Sequence, residues 1–388
     1  MKDIIIDKTG WKKWRFDEFA QNISERVEPS QTDLGVYVGL EHIDPDTLHL
    51  SRHGHPSDVE GTKLRFYKGD IIFGRRRAYQ RKTALATTNG LCSAHAMVLR
   101  AKQEVVDPSF FPFLFHSKQF IDMAITISVG GLSPTINWKD ICKQEFRLPP
   151  KAEQKRLAKL LWAADEMIEK EKKERQELEL FRKSKLKDIF NSTNIHIRLK
   201  DLSFEEINGL WKTDEEDFIN VCVIRSTEFS DYGAICFDKL EPMPVKRSQY
   251  KTRKLSPGDI ILERSGGGPD QPVGRVCWFE REDGEYSFSN FTSCIRVQDN
   301  DIIMSKFLFY FLGYYWEMGG TDRIQNQTAG IRNLDYDLYK MIKIPILSLD
   351  KQKQAISDIG KLLYSIYGLK LRIELSQQLK QELINKIF

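Results

Sequence analysis

The sequence predicts a duplicated α+β chain: two mixed α/β bodies, each followed by a long helix, the two helices buried against each other. Three observations predict this. Residues 148–190 begin LPPKAEQKRLAKLLWAADEMIEKEKKERQ and then hold no Gly or Pro until Gly209. Residues 349–388 form a second copy with apolar residues at the same helical spacing, and both stretches end alike, in Lys-Asp-Ile-Phe (187–190) and Asn-Lys-Ile-Phe (385–388). The segments upstream of each stretch share a plan, so the repeat unit is half the chain, and repetition of this kind decides architecture before any single motif does. The resulting boundaries are 1–148, 149–190, 191–348 and 349–388.

Each long stretch reads as one helix. Pro149 and Pro150 fit a first turn, where the missing N–H has no helical partner. Glu153 and Gln154 follow, where the helix dipole favours negative charge. Leu157, Leu161, Ala164 and Ile168, then Leu178, Phe181, Leu186 and Ile189, recur at helical spacing and mark an apolar stripe. The charged patch Glu169 to Glu177 between them is one that no core buries unpaired. Roughly forty residues at 1.5 Å each span about 60 Å. In the second copy Ile344-Pro345-Ile346 leads in, and Lys351-Gln352-Lys353-Gln354 stands where the first has Glu153-Gln154-Lys155-Arg156. Its stripe is Ile359, Leu362, Ile366, Leu369, Ile373, Leu379, Leu383 and Ile387. Two seamed helices of equal length in one chain are best buried against each other.

The first body opens on Gly10-Trp11-Lys12-Lys13-Trp14, followed by a short helix near residues 16–23. Val36 to Leu40 reads as a strand, rich in β-branched and aromatic residues, and Pro45-Asp46 as a turn. Lys68-Gly69-Asp70 turns into the strand Ile71-Ile72-Phe73. Further strands are expected at 83–87 and 96–100. Residues 108–120 read as a helix burying Phe113, Leu114 and Phe120. Gly130-Gly131 and Ser133-Pro134 form a loop, and Asn137-Trp138 returns to the long helix.

The second body follows suit. Residues 199–202 match the opening helix, and Phe218 to Ile224 match the strand at 36–40. Pro257 to Leu262 match 68–73 almost residue for residue. The loop Glu263-Arg264-Ser265-Gly266-Gly267-Gly268-Pro269 then takes the place of the arginine loop. Phe307-Leu308-Phe309 matches Phe113-Leu114-Phe115, and Ala329 to Leu334 stands where 131–138 stood.

Composition bounds the class. With 41% hydrophobic and 29% charged residues among 388, the chain is expected to be soluble and globular, with room for two domains. Six scattered cysteines form no CxxC pair, which argues against a zinc site or disulfide scaffold and for the cytoplasm. MKDIIIDKTGW lacks a signal-peptide core, and the apolar run 307–316 is too short to span a bilayer. A net charge of +4 means that binding of polyanions has to come from local patches.

The sharpest local signal is basic. From Lys63 to Lys82 there are eight Lys or Arg against one acid, Asp70. Arg75, Arg76, Arg77, Tyr79, Arg81 and Lys82 follow a buried strand and suit phosphates and guanine edges, either of which arginine pairs with bidentately. The bland alternative is a solvated loop, but three consecutive arginines repel one another and exceed what solubility requires. In the second body Lys246, Arg247, Lys251, Arg253 and Lys254 form an acid-free run. Arg264 and Arg275 flank the glycine loop, whose backbone can approach a phosphate closely or be merely a flexible turn. The candidate DNA-binding residues are Arg75, Arg76, Arg77, Tyr79, Arg81, Lys82, Lys246, Arg247, Arg253, Lys254, Arg264 and Arg275. No GxxxxGK[ST] or GxGxxG occurs. His49, His53 and His55 fit no standard zinc spacing. Pro269-Asp270 lacks the acid-x-Lys partner of a nuclease site. Trp162 reads as packing rather than base stacking. No catalytic or metal-binding residues are assigned.

LPPKAEQKRLAKLL…ADEMIE at 148–169, its C-terminal echo, the Gly-Asp-Ile-Ile turns at 69–72 and 258–261, and Gly-Ile-Arg-Asn-Leu at 330–334 together resemble the specificity (S) subunits of type I restriction-modification systems, over essentially the whole chain. The second copy departs from the pattern at Ser348-Leu349-Asp350. The resemblance implies two target recognition domains separated by two antiparallel coiled-coil helices in a pseudo-twofold repeat. Each domain would read one half of a split, asymmetric site in double-stranded DNA. The helices would set the gap between half-sites and dock two methyltransferase subunits, with motor-nuclease subunits joining for cleavage. S-adenosylmethionine, ATP and magnesium would belong to those partners, leaving this chain non-catalytic and without a cofactor. The helix length fits that role, since DNA rises about 3.4 Å per base pair. The alternative is an interaction scaffold whose helices join other proteins without reading DNA sequence.

Overall fold

The computed structural model describes residues 6–214, 216–267, 271–298, 301–328 and 330–388. The start of the opening segment (1–5), Gly268, Pro269 and Asp270 of the glycine loop, and Ala329 lie outside the described residues. The chain divides into two compact units, Met1–Glu174 with Leu369–Phe388, and Arg175–Gly368. That division falls inside the long helices Lys151–Phe190 and Leu349–Ile387, so each unit holds part of both.

In the first unit a four-stranded antiparallel sheet runs in the order Ala20–Ile23, Ala96–Ala101, Ile71–Gly74, Thr83–Leu85. The second unit repeats it as Phe204–Asn208, Thr292–Val297, Ile260–Glu263, Val276–Trp278. The turn before the central strand places Gly69 at φ 93° and Gly258 at φ 97°, where a side chain would be strained. A carboxylate buried under each turn is clamped by an arginine on the neighbouring strand. Asp70 accepts from Arg100 at 2.7 and 2.8 Å, and Asp259 from Arg296 at 2.8 and 2.7 Å. A second sheet in each unit pairs two strands in parallel: Tyr37–Val38 with Gly90–Cys92, and Phe218–Ile224 with Tyr286–Phe288.

The opening residues of each body form strands rather than only helix. Lys12–Arg15 pairs with Glu145–Leu148, and His196–Arg198 with Lys343–Pro345, so each body is closed by its two ends. The helix expected at 16–23 is confined to Phe16–Phe19, because the next four residues join the main sheet. The expected helix at 108–120 is split into Phe111–Leu114 and Lys118–Thr126. Ser117 starts the latter, its hydroxyl accepting the Phe120 N–H at 3.1 Å.

Each long helix is seated by one glutamine. Gln154 Oε1 accepts the Asp107 N–H at 2.7 Å, and its amide donates to the carbonyls of Pro149 at 2.8 Å and Val105 at 3.1 Å. Gln352 does the same for Met304 N–H at 2.8 Å and the carbonyls of Leu347 and Ile302, both at 2.9 Å. The aromatic ends repeat as well. Phe388 packs on Phe110 with ring centres 4.9 Å apart, and Phe190 on Phe307 at 5.5 Å. Phe307 therefore takes the place of Phe110, not of Phe113; in a phenylalanine-rich run, packing against the helix end decides the register.

Within the first unit Asp165 pairs with Lys380 and Glu171 with Arg372, each at 2.6 Å, so the two helix segments there run in opposite directions. In the second unit Lys185 meets Asp358 at 3.0 Å. Leu157, Leu161, Ile168 and Leu186 are buried as the stripe requires, as are Ile359, Ile366, Leu369, Ile373 and Ile387. Phe181 and Leu379 are not, at 55% and 46% exposed. Their neighbours turn inward instead: Arg182 donates to Glu317 at 2.6 Å, and Lys380 reaches Asp165. A paired charge tolerates a position that periodicity alone assigns to its apolar neighbour. Glu171, inside the charged patch that no core was expected to bury unpaired, is buried and paired with Arg372.

Candidate nucleic-acid interface

The arginine loop of the first unit begins where the strand Ile71–Gly74 ends, and its backbone is tightly held. The Arg75 carbonyl accepts the Ile136 N–H at 2.9 Å, and the Arg77 N–H donates to the Pro134 carbonyl at 2.8 Å. Arg77 and Arg81 bracket a short turn and both occupy the left-handed region, at φ 57° and 54°. Non-glycine residues there cost of order 1 kcal/mol and persist where surrounding contacts impose them, often at functional sites. Arg77 and Tyr79 are exposed, Tyr79 by 52%.

Electrostatically the loop separates into two parts. Arg81 is ion-paired with Asp46, and Lys82 donates to the Leu40 carbonyl at 2.6 Å. Arg76 donates to Ser133 Oγ at 3.1 Å and approaches His95 at 3.5 Å. Among the described residues no carboxylate pairs with Arg75, Arg76 or Arg77, and the Arg75 Nε is buried with no acceptor. The charge of these three is thus available to an external anion.

The second unit places its candidates differently. Arg247 pairs with Asp217 at 3.2 Å and Lys254 with Glu285 at 3.2 Å, while Arg253 donates to the Asn208 carbonyl at 2.9 Å. Lys246 ends the strand Pro242–Lys246, half-buried. Arg275 clamps the buried Glu263 at 2.8 and 2.9 Å, an internal ion pair. Arg264 reaches Glu206 at 3.3 Å and Asn208 at 3.2 Å, and lies 4.3 Å from the centre of the Tyr336 ring. Beside it Ser265–Gly267, Ile331–Leu334 and Gln325–Thr328 form a small sheet. Among the described residues the first unit has the bridges of Arg76 and Val129 to Thr135 at the corresponding place.

His49, set aside as a metal ligand, has a structural partner: its Nε2 donates to Asp165 at 2.5 Å. That hydrogen bond raises the His49 pKa. Burial works against the Asp165 carboxylate, but hydrogen bonds from His49 and Lys380 outweigh it and hold its pKa at about 2. Trp162 packs edge-on against Phe113 at 4.9 Å and donates its indole N–H to Ser109 at 2.7 Å, the packing role the sequence suggested. Sequence reading missed Asn22, Ser24 and Arg26, which lie beside Arg75. It also missed the equivalence of Arg75 and Arg264, although each stands six residues after the glycine of a Gly-Asp-Ile-Ile turn.

Residues 57–180, which span the arginine loop and most of the first long helix, match the family model of the type I restriction modification DNA specificity domain. That stretch is similar to such a specificity domain. It is 28% identical over 175 residues to the type I restriction enzyme EcoDI specificity subunit of Escherichia coli, an alignment covering 44% of this chain and 39% of that subunit. The chain thus spans well under two thirds of that relative. The MjaX protein of Methanocaldococcus jannaschii, provisionally named a type I restriction enzyme specificity subunit, is 22% identical over 376 residues, covering 89% of this chain and 82% of its own. The fold of the whole chain is shared as well. The crystal structure of a type I restriction-modification system S subunit from M. genitalium superposes over 100% of this chain and 98% of its own, at 15% identity and a TM-score of 0.62.

Proposed function

We propose that the chain is the DNA-recognition subunit of a type I restriction-modification complex, non-catalytic in itself. Each unit reads one half of a bipartite site, and the paired long helices set the spacing between half-sites. The observation that carries this reading is the acid-free triplet Arg75, Arg76, Arg77, held on a strained, well-bonded loop inside a specificity domain. Unpaired arginines on a fixed backbone suit both phosphate positioning and bidentate contact with guanine. Arg264 and the glycine loop take the corresponding place in the second unit.

Docking of methyltransferase subunits along the helices belongs to the same proposal. Leu371, Leu375 and Leu379, four residues apart, are 41%, 65% and 46% exposed and form one apolar stripe that this chain leaves uncovered. S-adenosylmethionine, ATP and magnesium would enter with the partners.

The test is a gel shift of the chain mixed with its methyltransferase subunit on a library of duplexes. Retention of a split consensus is the expected result. Equal retention of every sequence would refute the reading.

A further inference from the structure

Arg75 and Arg264 are the same residue of the repeat in different surroundings. Each follows the central strand, and each carbonyl accepts one N–H from the returning segment: Ile136 to Arg75 at 2.9 Å, Leu334 to Arg264 at 2.7 Å. Strand register fixes what faces them. Ile71 and Asn22 both pair with Leu99, and Ile260 and Glu206 both pair with Ile295. Asn22 therefore stands where the second unit has Glu206, Ser24 where it has Asn208, and Trp138 where it has Tyr336. In the second unit the glutamate, the asparagine and the tyrosine ring engage the guanidinium. In the first unit the acid is replaced by a neutral amide, and Arg75 Nε is left buried without an acceptor.

Beside Arg75 lies an open cleft of about 290 Å³ whose lining includes two more cations, Arg26 and Lys63, and no carboxylate. Lys63 donates only to the carbonyls of Glu60 and Gly61, the latter at 2.8 Å, so its charge is not cancelled. Asn22 and Ser24 supply further donors at the wall. An uncompensated buried donor, three cationic residues on one cleft lining and hydrogen-bonding side chains form a receptor for a compact, multiply accepting anion.

We propose that this cleft is a phosphate site that takes a backbone phosphate of the duplex, and that the second unit lacks its counterpart because Glu206 already neutralises Arg264. The proposal rests on the DNA-recognition reading. It makes the two units unequal: the first anchors to the backbone through a site that the second has closed internally.

The experiment installs the second unit's acid in the first. Full-length wild-type, Asn22→Glu and Arg26→Gln chains are titrated with duplexes by fluorescence anisotropy at several salt concentrations. They are also titrated with inorganic phosphate while the Arg75 Nε resonance is followed by NMR. Arg26 is exposed, so its variant keeps the test open if Asn22→Glu fails to fold. The expected result is that phosphate shifts the Arg75 resonance in the wild type and not in Asn22→Glu. Both variants should also flatten the dependence of log K on log salt by about 0.9, the value of one phosphate contact, equally for all sequences. Wild-type binding with unchanged slopes in both variants overturns the phosphate site alone. A phosphate-induced shift with unchanged duplex slopes identifies a free-anion site and likewise overturns it. A wild-type chain that binds no duplex at low salt overturns the DNA-recognition reading and this one with it, so the two failures are told apart.

Discussion

Lys380 Nζ lies 2.6 Å from Asp165 Oδ1, and both groups are nearly excluded from solvent. Their repeat equivalents are Arg182 and Leu363, so the second unit keeps the buried cation but neutralises it through Glu317 instead. The pair is an exchangeable device rather than a fixed requirement of the helices. Asp165→Ala strands a buried ammonium and is expected to destabilise the first unit by about 3–5 kcal/mol. The double variant Asp165→Leu with Lys380→Met should recover most of that loss. Urea unfolding of the full chain, followed by tryptophan fluorescence, measures both.

The His49–Asp165 contact makes part of that stability depend on pH. His49 has a raised pKa in the folded chain, so its contribution is complete below the unfolded value of about 6.5 and fades as pH rises through the folded value. Asp165 is depressed to about 2, so its contribution is present above the unfolded carboxylate range and is lost only as pH falls toward that value. His116, buried and held at about 4, opposes His49 on the acid side of neutrality. The comparison that isolates His49 is wild type against His49→Asn. The stability gap between them should be wider at about pH 6 than at about pH 9, as read from denaturation midpoints. A gap that does not change with pH would remove the imidazolium from this account.

Gln154 and Gln352 each satisfy one backbone N–H and two carbonyls at the foot of a long helix. Alanine at either position leaves buried groups unpaired, each costing about 1–3 kcal/mol. Glutamate keeps the acceptor but loses both donations, so it should be no better tolerated than alanine. Thermal unfolding of the two single variants should show separate losses, because the residues belong to different units.

Replacing Arg75, Arg76 and Arg77 together with alanine should reduce duplex affinity and flatten the salt dependence by up to about 2–3, at roughly 0.9 for each phosphate contact removed. An interaction scaffold would not notice the change. Anisotropy titration at two salt concentrations decides between them.

Changing Leu371, Leu375 and Leu379 to glutamine should leave thermal stability within about 0.5 kcal/mol of wild type, since the side chains are exposed. Copurification with the methyltransferase subunit should be lost. If the subunit still copurifies at wild-type yield, it docks elsewhere.

The sequence by itself determined what local pattern and repetition encode. The long helices follow from unbroken apolar periodicity, the central strands from Gly-Asp-Ile-Ile turns, and the duplication from the paired endings at 187–190 and 385–388. The basic loop was legible because three adjacent arginines are a compositional fact. Tertiary structure decided everything that depends on a partner far along the chain. Only packing shows that Arg182 rather than Phe181 faces inward, since the reason is Glu317, 135 residues away. Only strand register shows that Arg264 is neutralised by Glu206 while its twin Arg75 faces Asn22. A helix or a turn is selected by its own few residues, whereas the fate of a charge is set by whichever group the fold brings within about 4 Å of it.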